Sequence, residues 1–193
     1  MITIRKTELK DLDEVMEIYE HGRQIMRNSG NLFQWQNDRP YREQIIDDIE
    51  KGNSYVAENR DGLCGVFALI FGEDVTYGYI EGSWLNDEPY GTIHRIATSG
   101  REKGVLKAAV DYGFSQIENI RIDTHHDNKI MQHLLKKLGF TECGVIYLLD
   151  GDPRLAYQSD PQRIYGVFFA GRNIRFRVEE DTLTVLSAEK ENL

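Results

Sequence analysis

The stretch IHRIATSGREKGVLKAAVDYGF, Ile93 to Phe114, constrains the fold more than any other. It runs from a β-patterned segment through a short glycine-bounded turn directly into a helix. Such a junction aims the first, unbonded backbone N–H groups of the helix into the turn, a ready site for an anion. A chain that contains it must place a strand and a helix in adjacent layers, which points to a mixed α/β architecture.

The flanking patterns agree. Thr3–Lys6 reads as a short strand, and Asp11 opens a helix with Leu12, Val15, Met16 and Tyr19 at helical spacing. A second helix from Tyr41 carries Ile45, Ile46 and Ile49 to Gly52, a C-cap residue. SYVAENRDGLCGVFALIF predicts two strands joined by an Asp61-Gly62 turn. Tyr77–Leu85 and Tyr90–Thr98 predict a further strand pair, and the helix after the opening strand is expected from about Gly104 to Gln116. NIRIDTHHDNKIMQHLLKKLGF gives a strand, a polar turn and a helix ended by Gly139, with Met131 and Leu135 stacked at i,i+4. A hairpin turning at DGDP closes this unit near Gln158.

Residues 1–158 are therefore expected to form one α/β (α+β) domain with a mostly antiparallel twisted sheet, and residues 159–193 a C-terminal β extension with a frayed tail from Glu189. Ile174, Phe176 and Val178, then Leu183 and Val185, alternate as strands do. The edge of that extension, with Phe168 and Phe169, could pair with a second copy to make a homodimer or pack on its own domain.

A length of 193 residues supports a well-cored domain, and the formal net charge of -9 argues against nucleic acid or an anionic membrane as a partner. Cys64 and Cys143 lack disulfide or zinc spacing and sit in apolar contexts, as buried thiols do. With no apolar leader and no spanning run, the sequence predicts a cytoplasmic protein. Asp123, His125, His126 and Asp127 are close in sequence, but a strand end and tight turn do not set them on one face, so no metal is expected.

Two local motifs, in this order of elements, resemble the GNAT superfamily of acyl-CoA-dependent N-acetyltransferases. Arg101-Glu102-Lys103-Gly104-Val105-Leu106 matches its Arg/Gln-x-x-Gly-x-Gly/Ala turn at Arg101 and Gly104, with Leu106 where a small residue is usual. Asn128, Leu134, Gly139 and Phe140 match its Asn-x-x-Ala-x-x-Leu-Tyr-x-x-x-Gly-Phe helix, with Met131 for the small residue and Leu135 for the tyrosine. The resemblance covers about Thr3 to Gln158.

It implies a GNAT-like fold and acetyl-CoA as acyl donor, with the pyrophosphate on amides from Lys103 through Gly104, Val105 and Leu106 to Lys107, beside Arg101. Asn128, with Met131 and Leu135, would line the pantetheine arm, and the backbone of Ile96, Ala97 and Thr98 would polarise the thioester carbonyl. A primary amine, small-molecule or protein-borne, would attack directly.

For the base that deprotonates it, His94 is the first choice because imidazole titrates near working pH, and Glu81 is the second, also able to bind a cationic amine. His125 or Tyr147 could act as general acid in place of the missing tyrosine. Trp35 and Tyr41, between the first two helices, would shape the acceptor pocket. The departures at Leu106 and Leu135 keep open an alternative, a degenerate acyl-CoA-binding sensor or regulatory module. A metal-dependent hydrolase built on His125 and His126 is remote.

Overall fold

The computed structural model describes residues 1–159, 164–179 and 182–190. The Asp61-Gly62 turn joins β2 (Ser54–Asn59) to β3 (Gly62–Phe71), and β1 (Thr3–Lys6) pairs antiparallel with β2. β3 then pairs antiparallel with β5 (Gly91–Thr98). Helix α3 (Val105–Phe114) carries the chain from β5 to β6 (Ile120–Thr124), which is why these two strands run parallel. The hairpin of β7 (Phe140–Tyr147) and β8 (Pro153–Ser159) completes the sheet, with a two-residue β4 (Glu81–Gly82) at its edge. The order is β1-β2-β3-β5-β6-β8-β7-β4.

Both faces of the sheet are covered. Phe67, Leu69, Ile93 and Ile120 pack with Ala109 and Val110 of α3 and with Leu135 of α4 (Lys129–Lys137). On the other face Val56, Val66 and Ala97 pack with Leu12, Val15, Ile18 and Tyr19 of α1 (Leu12–Asn28) and Ile45 of α2 (Arg42–Glu50). Strand alternation assigns these sets: Val66 faces one layer and Phe67 the other. Double burial explains why β3 reads as an almost unbroken apolar run.

The strand expected over Tyr77–Leu85 does not form beside β5. β5 already has β3 on one edge and β6 on the other. Asp74 accepts hydrogen bonds from Thr76 N and Oγ1 and turns Val75–Tyr77 into a 3-10 turn. The Tyr77 ring stacks against Trp84 and Tyr90, and Arg121 lies over the Trp84 and Tyr90 rings, pinning the segment as a loop. What remains extended, Glu81–Gly82, pairs with Val145 and Gly144 of β7. The strands cross so closely there that a Cβ on Gly82 would lie 2.2 Å from the Cys143 carbonyl oxygen. Cys64 is buried as expected, but Cys143, beside the bulge of β7, is half-buried.

The C-terminal region forms an antiparallel sheet of β9 (Ile164–Phe169), β10 (Arg172–Glu179) and β11 (Thr182–Lys190). Glu189 and Lys190 belong to β11, paired with Asn173 and Arg172, so the expected fraying at Glu189 is corrected. Residues 191–193, and the side chains of Phe168, Phe176 and Val178, lie outside what is described.

One irregularity shapes everything near the middle of the sheet. Val66 pairs with Ala97 and Ala68 with His94, so Phe67 alone faces both Arg95 and Ile96: β5 carries a bulge. Arg95 there has φ 51°, a conformation uncommon for a residue with a Cβ. Its guanidinium forks onto Asp48 of α2, Nε to Oδ2 at 2.9 Å and Nη2 to Oδ1 at 2.8 Å. Burial pushes the Asp48 carboxyl up and Arg95 pulls it back. On the other side of β5, pairing with β6 covers Gly91 and Thr92, opposite Ile120 and Arg121. Beyond Thr92 the two strands part into a wedge.

Asp48→Ala should cost about 3 kcal/mol in urea unfolding because it leaves the half-buried Arg95 guanidinium without its counter-charge, while a joint Asp48→Leu/Arg95→Met replacement should cost far less. Equal losses for the two would contradict this account of the bulge. Gly65 tests how α3 is seated, because a Cβ there would lie 2.4 Å from Val105 Cγ1 and 3.0 Å from the Ala97 carbonyl oxygen. Gly65→Ala should cost about 1–3 kcal/mol by overpacking, and Val105→Ala in the same chain should recover part of that.

Candidate active site

The wedge begins at His94. Its Nε2 lies 3.0 Å from Asp74 Oδ2, and its Nδ1 lies 3.6 Å from Asp123 Oδ1 of β6. Tyr77, buried, donates its hydroxyl to the same Asp123 oxygen at 2.8 Å and packs edge-on to the imidazole. Asp74 is held in turn from behind: its backbone N donates to Tyr90 Oη at 3.0 Å. His94, then the hydroxyl and amide of Thr76, keep the Asp74 carboxyl far below the usual carboxylate range, against the upward push of burial. Burial first, and the Asp123 charge second, push the Tyr77 phenol well up, so it remains a neutral donor.

From His94 the bulged strand leads along Ile96, Ala97 and Thr98, whose edge toward β6 has no strand paired to it among the described residues. It ends in the turn before α3. Gly104 there is the N-cap with φ 89°, and no side chain caps the helix. The first intrahelical bond runs from Ala108 N to Gly104 O, so the amides of the first turn are not satisfied by a cap. A Cβ added to Gly104 would meet nothing within 4 Å, so the turn's outer face is clear. Leu106 does not obstruct it: its side chain is buried in the main core. Lys103 and Lys107 are exposed, and Arg101 Nη2 lies 3.6 Å from Glu14 Oε1 with its side chain 55% exposed. A phosphate-bearing chain laid along the wedge would meet amides at this end and an imidazole at the other.

At the mouth of α4, Asn128 Oδ1 accepts from Met131 N at 3.1 Å while its Nδ2 donates to Gln34 Oε1 at 2.8 Å. The carboxamide thus caps the helix and moors the loop between α1 and α2. Met131 is half-buried and Leu135 fully buried in the core, so Leu135 packs rather than faces the wedge. His125 is buried, its Nδ1 accepts from Asp127 N at 3.2 Å, and burial followed by Arg154 holds its pKa below the ordinary value.

Other predicted residues fall elsewhere. Glu81 stands on the exposed edge strand β4, separated from β5 by β6, β8 and β7, and accepts the Tyr147 hydroxyl at 2.9 Å. Neither joins His94. Trp35 packs edge-on to Tyr19 over Gly22 and braces the loop, while Tyr41, before α2, is exposed. His125, His126 and Asp127 bring three possible ligand atoms within 4.8 Å of one another, His125 Nδ1 already accepting a backbone N–H.

Sequence reasoning did not single out Asp74 or Tyr77 and read Asp123 with the histidines that follow it. The available signal was the Asp74-x-Thr76 turn pattern, which places a carboxylate at a fixed bend before the aromatic residues.

Comparison with known proteins agrees with this architecture. Residues 1–141 match the acetyltransferase (GNAT) domain model, and residues 120–191 match a model of the TrmO C-terminal domain. A GNAT-family acetyltransferase structure from Streptococcus agalactiae superposes with a TM-score of 0.75 at 35% identity, covering 84% of this chain and 96% of that one. A putative acetyltransferase from Staphylococcus aureus gives a TM-score of 0.61 at 24% identity, with 82% and 98% covered. The ribosomal-protein-S18-alanine N-acetyltransferase of Escherichia coli gives 0.53 at 14%, with 82% and 93% covered, a likeness of fold alone. No match was found among curated proteins. With a domain model spanning most of its length and a relative of this similarity, the chain belongs to the GNAT acetyltransferase family, and it is an acyltransferase.

Proposed function

We propose that the protein transfers an acetyl group from acetyl-CoA to a primary amine by direct attack. The observation that carries this reading is a wedge with a moored imidazole at its vertex and an uncapped helix N-terminus at its far end. The donor set fits acetyl-CoA. The amides from Lys103 to Lys107, with Arg101, take the pyrophosphate; Asn128 and Met131 border the pantetheine arm; the backbone of Ile96–Thr98 polarises the thioester carbonyl. An alkyl ammonium has a pKa near 10.4, so a base must take its proton before attack, and His94 does so. Leu135 supplies no proton, and His125, just after β6, is the candidate acid.

Residues 1–158 are the transferase unit and 159–193 an appended β unit in this reading. The exposed Val167, Phe169, Leu183 and Val185 are the surface assigned to pairing with a second copy. Two free cysteines fit a reducing, cytoplasmic setting. Among the described residues no helix is long and apolar enough to cross a membrane.

Thiol release from acetyl-CoA in the presence of a panel of primary amines tests the activity. His94→Gln should lower kcat by about 10²-fold or more while leaving the heat of acetyl-CoA binding unchanged. An unchanged rate would remove His94 from the mechanism. Acetyl-CoA at 100 times its Kd should stabilise the wild type by about 2.7 kcal/mol, and Gly104→Val, which forces a branched side chain onto a left-handed cap, should abolish the effect.

A further inference from the structure

The vertex of the wedge is short of positive charge. Asp74 and Asp123 both flank His94, and among the described residues neither forms an ion pair with any other group. Nearby Asp48 is already matched by Arg95. Two carboxylates share one imidazole, so even a protonated His94 leaves one negative charge without a counter-charge, in side chains 25% and 11% exposed. Partly buried carboxylates in that condition favour a cationic guest.

The hydrogen-bond geometry says where the guest sits. A carboxylate only accepts, so the 3.0 Å contact with Asp74 Oδ2 places a proton on His94 Nε2. In the neutral ring Nδ1 is then an acceptor. It faces Asp123 Oδ1 across 3.6 Å, too far for a hydrogen bond, and that oxygen takes its donor from Tyr77. Two acceptor atoms thus stand 3.6 Å apart with no donor shared between them.

We infer that Asp74 fixes the His94 tautomer so that Nδ1 and Asp123 Oδ1 together seat the ammonium group of the acceptor, which makes Asp123 the residue selecting a cationic alkyl amine. The inference rests on the transferase reading above. In the step it serves, one ammonium N–H bond breaks, its electron pair stays on the amine nitrogen, and an Nδ1–H bond forms. The amine becomes a neutral nucleophile, and Asp123 balances the imidazolium. Asp74 is a positioning residue throughout, since it reaches the acceptor through His94.

Nitrogen-15 NMR of histidine-labelled protein, above the imidazole titration, tests this without turnover. The Nε2–H tautomer is expected for His94 in the wild type and its loss in Asp74→Asn. Butylammonium chloride should shift the Nδ1 resonance, butanol at equal concentration should not, and Asp123→Asn should lose the response while keeping the tautomer. Its KM for the best amine of the panel should rise at least tenfold with the KM for acetyl-CoA unchanged. An Nδ1–H tautomer in the wild type, no butylammonium response there, or a response retained in Asp123→Asn would overturn the inference. If NMR behaves as expected but no amine releases thiol, the ammonium seat stands and the reading of acetyl transfer to a primary amine falls.

Discussion

The structure turns on the bulge at Arg95 and Ile96. The extra residue in β5 bends the strand while its pairing with β3 continues to Thr98, and on the other edge pairing with β6 ends at Thr92, just before the bend. Arg95 adopts a left-handed backbone to make this bend, and its fork onto Asp48 ties the bend to α2. The wedge, the open edge of Ile96–Thr98 and His94 at the vertex all lie at or beside that departure from regular pairing.

Electrostatics then divides the wedge into two ends. At the α3 end the available groups are backbone donors and basic side chains, suited to phosphate. At the vertex they are carboxylates and an imidazole, suited to an amine. The chain's overall net charge of -9 is consistent with a cationic acceptor approaching the second end, while the first is a local exception supplied largely by helix geometry. The moorings lie outside the wedge: Tyr90 behind Asp74, Tyr77 behind Asp123, and Gln34 behind Asn128.

Much of this was legible in the residues. The helices, the Asp61-Gly62 hairpin, the strand–turn–helix around Gly104 and the terminal hairpin at DGDP are local patterns, and they formed where expected. Tyr77–Leu85 misled because its aromatic spacing imitates a strand, whereas its aromatics serve to stack on one another and on Arg121. By motif alignment Leu106 reads as a loss of clearance and Leu135 as a missing proton donor. Both turn inward to the core, because their angular positions place them on the inner faces of α3 and α4. Glu81 was placed by assuming that sequence neighbours are sheet neighbours, and the sheet order puts three strands between it and β5. Asp74 meets His94 across 20 residues of chain through a loop, so no periodicity could announce the pair.

Amide hydrogen exchange with and without acetyl-CoA addresses the central claim, that the split between β5 and β6 is the acyl-donor site. Protection should appear at the amides of Ile96–Thr98 and Lys103–Lys107 together, the two ends of one ligand, with the β9–β11 sheet unaffected. Protection confined to another surface, or none at saturating acetyl-CoA, would contradict the account.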